Sequence, residues 1–276
     1  MKLRTAVLTS AFVMFAAASH AADITSPFYL PMEGQMLSDT YLETSRFKGE
    51  NASGTIESLS IKEKIGLGVT NDWMAYVALA NNFDYGGSLN NDLNFDYTIG
   101  TAYNMDHQNF KSQIGLAYRT FKPESFYGHQ YIDSSNWNKY IEFNAKIGYK
   151  MPCSWMMPYL DITATYALNT VAEQKYVATI NAPSQGDLTY STFAGAHMWW
   201  QDTTADLGFR WDNVHQDKEL FGGNKTRDDI YLEGKLNFLQ SENSSIGIYG
   251  QYLIGDSDMP NVDYGYVLGA NYKIVF

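Results

Sequence analysis

The last thirteen residues, YGYVLGANYKIVF (264–276), decide how the rest of the chain is read. Taken two at a time from Phe276, one set is Ile274, Tyr272, Ala270, Leu268, Tyr266 and Tyr264, apolar or aromatic throughout. The set between them, Val275, Lys273, Asn271, Gly269 and Val267, is smaller and more polar. A repeat of two belongs to a β-strand, whose successive side chains point to opposite faces, so the segment predicts a strand with one oily and one wetter face. The ends of soluble domains commonly fray, yet here the pattern runs through the last side chain. A strand that has to be complete to its end is expected.

The same alternation recurs upstream. It sets Ile230, Leu232, Leu236 and Phe238 against Asp229, Tyr231, Glu233, Lys235 and Asn237 in DDIYLEGKLNF. NKYIEFNAKIGY, PYLDITATYAL, TADLGFRW, DLNFDYTIGTAY, NFKSQIGLAY and SSIGIYGQYLIG repeat it, and about twelve such segments are expected, several near the roughly 9 to 11 residues a tilted strand needs to cross hydrocarbon. One strand of this kind also fits a soluble sandwich. The connections separate the two cases. They alternate between short ones at 70–72, 105–108, 152–155, 200–203 and 240–244 and long ones at 48–55, 82–92, 120–138, 169–187, 213–228 and 255–263. An even number of strands with both termini on one side gives that rhythm. Trp73, Trp155, Trp199 and Trp200 fall beside short turns and Trp137 and Trp211 beside long loops, as two aromatic girdles at water–lipid boundaries require.

The other end of the chain gives a context. Lys2 and Arg4 precede an apolar run from Ala6 to Ala18, followed by the small residues Ser19 and Ala21 around His20, so residues 1–21 are expected to be a cleaved export signal. No later run approaches the roughly 18 to 20 apolar residues of a membrane helix. Cys153 is the only cysteine, which rules out an internal disulfide. The formal charge of -11 argues against a nucleic-acid partner. Aromatics at 15% beside only 18% charged residues suit a surface that is partly apolar.

An exported N-terminus, alternating strands and the terminal YKIVF together resemble the bacterial outer-membrane β-barrel superfamily, over residues 37–276. KIGLGVTNDW (64–73) is similar to a strand–turn–strand passage of such barrels; neither motif points to a subfamily. The resemblance implies a porin-like, all-β, transmembrane, antiparallel up-and-down barrel in the outer membrane of a Gram-negative cell, with short periplasmic turns and longer extracellular loops. It implies membrane lipids and lipopolysaccharide as surroundings. It also implies that Tyr272, Ile274 and Phe276 form the signal read by the barrel assembly machinery. An aromatic girdle of Trp73, Trp155, Trp199, Trp200 and Trp211 follows from their positions beside the connections. The last strand is then expected to pair with the first, because lipid offers no partner to an open edge.

With the oily set facing lipid, the complementary set lines the lumen. It contains Lys62, Lys64, Lys111, Arg119, Glu142, Lys146 and Lys150 on one side, and Asp206, Arg210, Asp212, Asp229, Glu233 and Lys235 on the other. One basic and one more acidic wall are expected. Either they stand apart across water and select small polar or charged solutes, or they meet as ion pairs and plug a narrow barrel. Glu63 falls on the oily face near mid-strand, where a carboxylate costs on the order of 1 to 3 kcal/mol, and a β-bulge shifting the register is the expected remedy. Residues 22–36, with Pro27 and Pro31 and no alternation, are expected to precede the barrel as a periplasmic or lumen-inserted segment, the tail being the simpler of the two.

Catalytic patterns are thin. His197 and Ser191 share a face but lie six residues apart, too far to act together; at the rim Asp212 and His215, with Asp84 and Asp256 on neighbouring long loops, are the candidates to activate a water, yet Asp212 and His215 point to opposite faces of a continuing strand. No histidine has metal-site spacing, so no cofactor, no metal and no enzyme are expected. The expected function is a narrow channel; the alternatives are a plugged barrel serving structure or surface contact, and a hydrolase with a rim site.

Overall fold

The computed structural model describes residues 24–48, 55–85, 92–122, 126–127, 130–131, 138–152, 155–169, 186–200, 202–215, 226–257 and 264–276. The expected export signal, Cys153, Trp137 and His129 lie outside them, and so do the side chains of Asp84, His215 and Asp256.

The strands are β1 (Met36–Lys48), β2 (Thr55–Thr70), β3 (Trp73–Tyr85), β4 (Asp92–Asn104), β5 (Phe110–Lys122), β6 (Phe126–Tyr127), β7 (Gln130–Tyr131), β8 (Asn138–Tyr149), β9 (Met156–Asn169), β10 (Leu188–Trp200), β11 (Thr203–His215), β12 (Thr226–Ser241), β13 (Ser244–Ser257) and β14 (Tyr264–Val275). Twelve of them close into one antiparallel barrel in chain order; β6 and β7 form a separate small hairpin between β5 and β8. β14 pairs with β1 from Leu37↔Val275 to Lys48↔Tyr264. Phe276 extends the seam, exchanging backbone hydrogen bonds with Met36 at 2.7 and 2.9 Å. No barrel edge is left unpaired, which is the condition for placing a sheet in hydrocarbon.

The two faces are sorted as the alternation predicts. Ile99, Phe209 and Leu268 are 65%, 56% and 54% exposed on the outer face, while the inward Asn237, Thr204 and Asn271 are 1–3% exposed. This inverts a soluble protein, oily outside and hydrogen-bonded inside. A small apolar cluster does exist at the short-turn end. Ile24 and Leu30 of the N-terminal segment pack there with Leu37, Met74, Ala102 and Val275.

Glu63 is not relieved by a bulge. It pairs in regular register with Thr40 and Leu79, and the one irregularity between β2 and β3 lies at Gly68/Thr70, beside the turn. The carboxylate therefore faces outward, where Ser38 Oγ (2.6 Å) and Thr40 Oγ1 both donate to it. Two neighbouring hydroxyls supply hydrogen bonds that lipid cannot, and the expected change of register is unnecessary.

Candidate functional site

Every inward charge has been placed by strand parity, and strand register then selects its neighbour. Lys62 (β2) reaches Glu43 (β1) at 2.5 Å, and Arg119 (β5) bridges Asp96 (β4) at 2.7 Å and Glu142 (β8) at 3.2 Å. Lys146 (β8) lies 3.6 Å from Asp161 (β9), Arg210 (β11) 2.5 Å from Glu233 (β12), and Lys273 (β14) 3.5 Å from Asp39 (β1). Each of these pairs joins adjacent strands, so attraction runs along the wall and not across the bore. The expected division into a basic and an acidic wall is replaced by alternating charge around the ring. Asp39, Glu43, Asp96, Asp161 and Lys273 are the missing members. All five sit at inward positions of the alternation and were open to the same count.

Hydrogen bonds complete the lining. Arg210 donates to Ser191 at 2.8 Å, Gln251 to Glu233 at 2.9 Å, and Asn144 to Asp161 at 2.5 Å. Lys64 holds its ammonium 4.1 Å from the Tyr76 ring centre, and Lys235 lies 5.2 Å from that of Tyr41, whose hydroxyl accepts from it at 3.4 Å. Asp212 and Asp229 also face inward, and Tyr231 donates to Asp229 at 3.2 Å. Lys111 pairs with Asp106 at the short-turn rim. Lys150 lies beyond the end of β8, so it belongs to the mouth and not to the wall; its ammonium is 5.7 Å from the Trp199 ring.

The lumen is crossed at its short-turn end by the N-terminal segment. Lys273 donates to the Ile24 carbonyl at 3.0 Å and Lys146 to the Pro27 carbonyl at 3.1 Å. Asn104 donates to the Phe28 carbonyl at 2.9 Å, and Thr204 to the Thr25 hydroxyl at 2.8 Å. The donors come from β14, β8, β4 and β11, different sides of the cylinder. The Phe28 ring meets Tyr159 edge-on at 6.1 Å and sits against Gly148, where any side chain would occupy its place. Gly34 takes a positive φ of 78° to turn the chain into β1; its N–H donates to the Gly68 carbonyl at 2.9 Å, and the Gly68 N–H donates to the Gln35 carbonyl at 2.9 Å. A proline-containing stretch lacks a strand's repeat, and its unpaired carbonyls become acceptors for lumen lysines. Burial pushes the Tyr29 phenol up to about 12, so it stays neutral. A cavity of about 360 Å³ remains beside the segment, lined by Phe28, Leu30, Lys111, Lys150, His197 and Trp199 among others.

That lining corrects the girdle. Trp73, Trp155, Trp200 and Trp211 are exposed on the outer face, and Trp155 stacks on Trp200 at 5.6 Å. Trp199 points the other way, its ring 5.9 Å from that of buried His197. Adjacent residues of a strand cannot share a face, so only one of Trp199 and Trp200 reaches lipid. His197 bonds Asp206 through Nδ1 at 3.0 Å, while Ser191 is opposite Asp212, away from it. Among the described residues no three His, Cys, Asp or Glu side chains group as a metal site.

A closed cylinder with an apolar exterior, a charged interior and tryptophans near its ends is a membrane-spanning β-barrel. Among solved structures of the same fold, an outer-membrane channel from Pseudomonas putida F1 is 10% identical, with 91% of this chain and 98% of that one covered and a TM-score of 0.63. The β-domain of the Bordetella autotransporter BrkA is 8% identical, with 88% and 100% covered and a TM-score of 0.54. No protein-family profile and no curated sequence matches the chain. Fold and belt together define a membrane-spanning barrel of twelve antiparallel strands, the fold that these two outer-membrane proteins share.

Proposed function

We propose that the protein is a narrow outer-membrane channel for small polar or charged solutes, with residues 24–31 seated across its periplasmic mouth. The observation that carries this reading is the accessibility of inward charge: the Lys62 and Arg119 side chains are 44% and 38% exposed although both point into the barrel. A dry, interlocked interior would cover them, because an ammonium or guanidinium gives up its water only for close partners. The lower end contrasts. There Lys273 and Asp39 are 12% and 8% exposed, beneath the segment. The upper bore is wet and the lower mouth is covered. The Pseudomonas putida channel built on the same fold agrees with this use of it.

In this reading the inward Lys, Arg, Asp and Glu residues select among solutes. No catalytic step is assigned, since Ser191 is engaged by Arg210 and His197 by Asp206. Lipopolysaccharide surrounds the outer half, and assembly proceeds through the machinery that reads Tyr272, Ile274 and Phe276. A second reading, a barrel sealed for structural use, is favoured by the segment across the mouth. Planar-bilayer recordings separate them. The mature protein is expected to show rare openings, and a variant lacking residues 22–31 steady conductance steps. Silence of both, with the variant still folded, makes the barrel a sealed one.

A further inference from the structure

Four inward lysines line the bore near the seated segment, two of them bonded to it. Asp39 of β1 stands in register between Lys64 of β2 and Lys273 of β14. Lys235, Lys273 and Lys64 stand on one side of the wall, two strands apart in turn, with Lys273 within coulombic reach of both others, and Lys146 faces Lys64 from further round the bore. Their counter-charges are already committed. Asp39 serves Lys273 at 3.5 Å and accepts from Tyr41 at 3.0 Å and Asn271 at 3.2 Å; Asp161 serves Lys146 at 3.6 Å and Asn144 at 2.5 Å. Asp206 and Glu233 lie in reach of Lys235, yet Asp206 holds His197 at 3.0 Å and Glu233 holds Arg210 at 2.5 Å and Gln251 at 2.9 Å. Among the described residues, Lys64 and Lys235 have no carboxylate within ion-pair distance and rest over tyrosine rings. Lys146 and Lys273 each donate to a neutral carbonyl of the segment.

We propose that Lys64, Lys146, Lys235 and Lys273 form a binding site for a small multivalent oxyanion, and that its binding releases the N-terminal segment. The ligand is a free solute and not a lipid headgroup, because the site lies inside the cylinder. Like charges crowded in a narrow bore repel, and an oxyanion with several acceptor oxygens relieves that repulsion. An ammonium is held more strongly by an oxygen carrying a full negative charge than by a neutral carbonyl, because opposite charges add their attraction to the hydrogen bond. An oxyanion therefore competes for Lys146 and Lys273 with the Pro27 and Ile24 carbonyls. It binds the unseated state more tightly and shifts the population toward it. The consequence for permeation rests on the channel reading; the binding site does not.

Inorganic phosphate is the probe. Calorimetric titration of the mature protein in detergent, at fixed ionic strength, is expected to show saturable binding that weakens about tenfold or more in K64Q/K235Q and persists in K64R/K235R. Heat-dependent gel migration checks that each variant is folded. Release is read by the rate of thiol labelling of S26C in a C153S background, which is expected to rise over the same phosphate range. Absence of saturable binding, or equal binding in K64Q/K235Q, overturns the site. Binding with an unchanged labelling rate overturns the release. A silent barrel that still binds phosphate refutes the channel alone.

Discussion

Glu63 offers a sharp test of how this barrel tolerates a carboxylate on its oily face. It lies seven residues from Thr70, which at a rise of about 3.3 Å and a tilt of about 40° places it about 18 Å from the short turn, within an apolar belt about 25 Å tall. The perturbation is S38A/T40V, which removes both donors and leaves the carboxylate in place. A hydrogen bond to a charged group contributes about 1.5 to 3 kcal/mol, and side-chain bonds inside membranes average about 0.6 kcal/mol and reach about 1.7 kcal/mol. Taking about 1 to 2 kcal/mol per bond, the pair of donors is coupled to Glu63 by about 2 to 4 kcal/mol. The same double substitution made on E63L is expected to cost close to nothing, and E63L alone to be neutral or stabilising, since it removes a carboxylate that costs about 1 to 3 kcal/mol in lipid. Reversible urea unfolding in phospholipid vesicles, followed by tryptophan fluorescence, measures all four corners of the cycle. A coupling below about 0.5 kcal/mol means that the hydroxyls do not act through the carboxylate, and the reasoning fails.

Two further outcomes follow from close packing and from the seam. Gly100 of β4 faces inward beneath the Tyr76 ring, so G100V is expected to destabilise the barrel by about 1 to 3 kcal/mol in the same assay, with Y76A recovering part of the loss. F276A keeps the backbone bonds to Met36 but removes the terminal ring. The yield of folded barrel recovered from cell membranes is expected to fall several-fold, while the refolded protein loses only about 1 to 2 kcal/mol; a yield equal to wild type removes the terminal residue from the assembly signal.

The inward charges were legible because side-chain direction in a strand depends only on parity. Lys62, Lys64, Arg119, Glu142, Lys146, Arg210, Glu233 and Lys235 all face the bore by that count. Trp199 was legible by the same rule, its neighbour Trp200 having already taken the lipid side. Lys150 was not, because parity ends where the strand ends, and β8 stops at Tyr149. The partners of these charges are a different kind of fact. Whether Lys62 meets Glu43, or Lys273 meets Asp39, depends on the stagger between strands, and no single strand's pattern records it.

By itself, the sequence determined a closed sheet of about twelve strands, its oily exterior, its wet interior and the pairing of last strand with first. A period of two, repeated along the chain, leaves no other way to satisfy both backbone and side chains in lipid. Only the tertiary structure decided that Glu63 stays outward under two hydroxyls, that charges pair around the wall, and that residues 24–31 lie across the mouth with their carbonyls on lysines from opposite sides. Those outcomes come from groups distant along the chain competing for the same hydrogen bonds, a contest that begins only once the cylinder has closed.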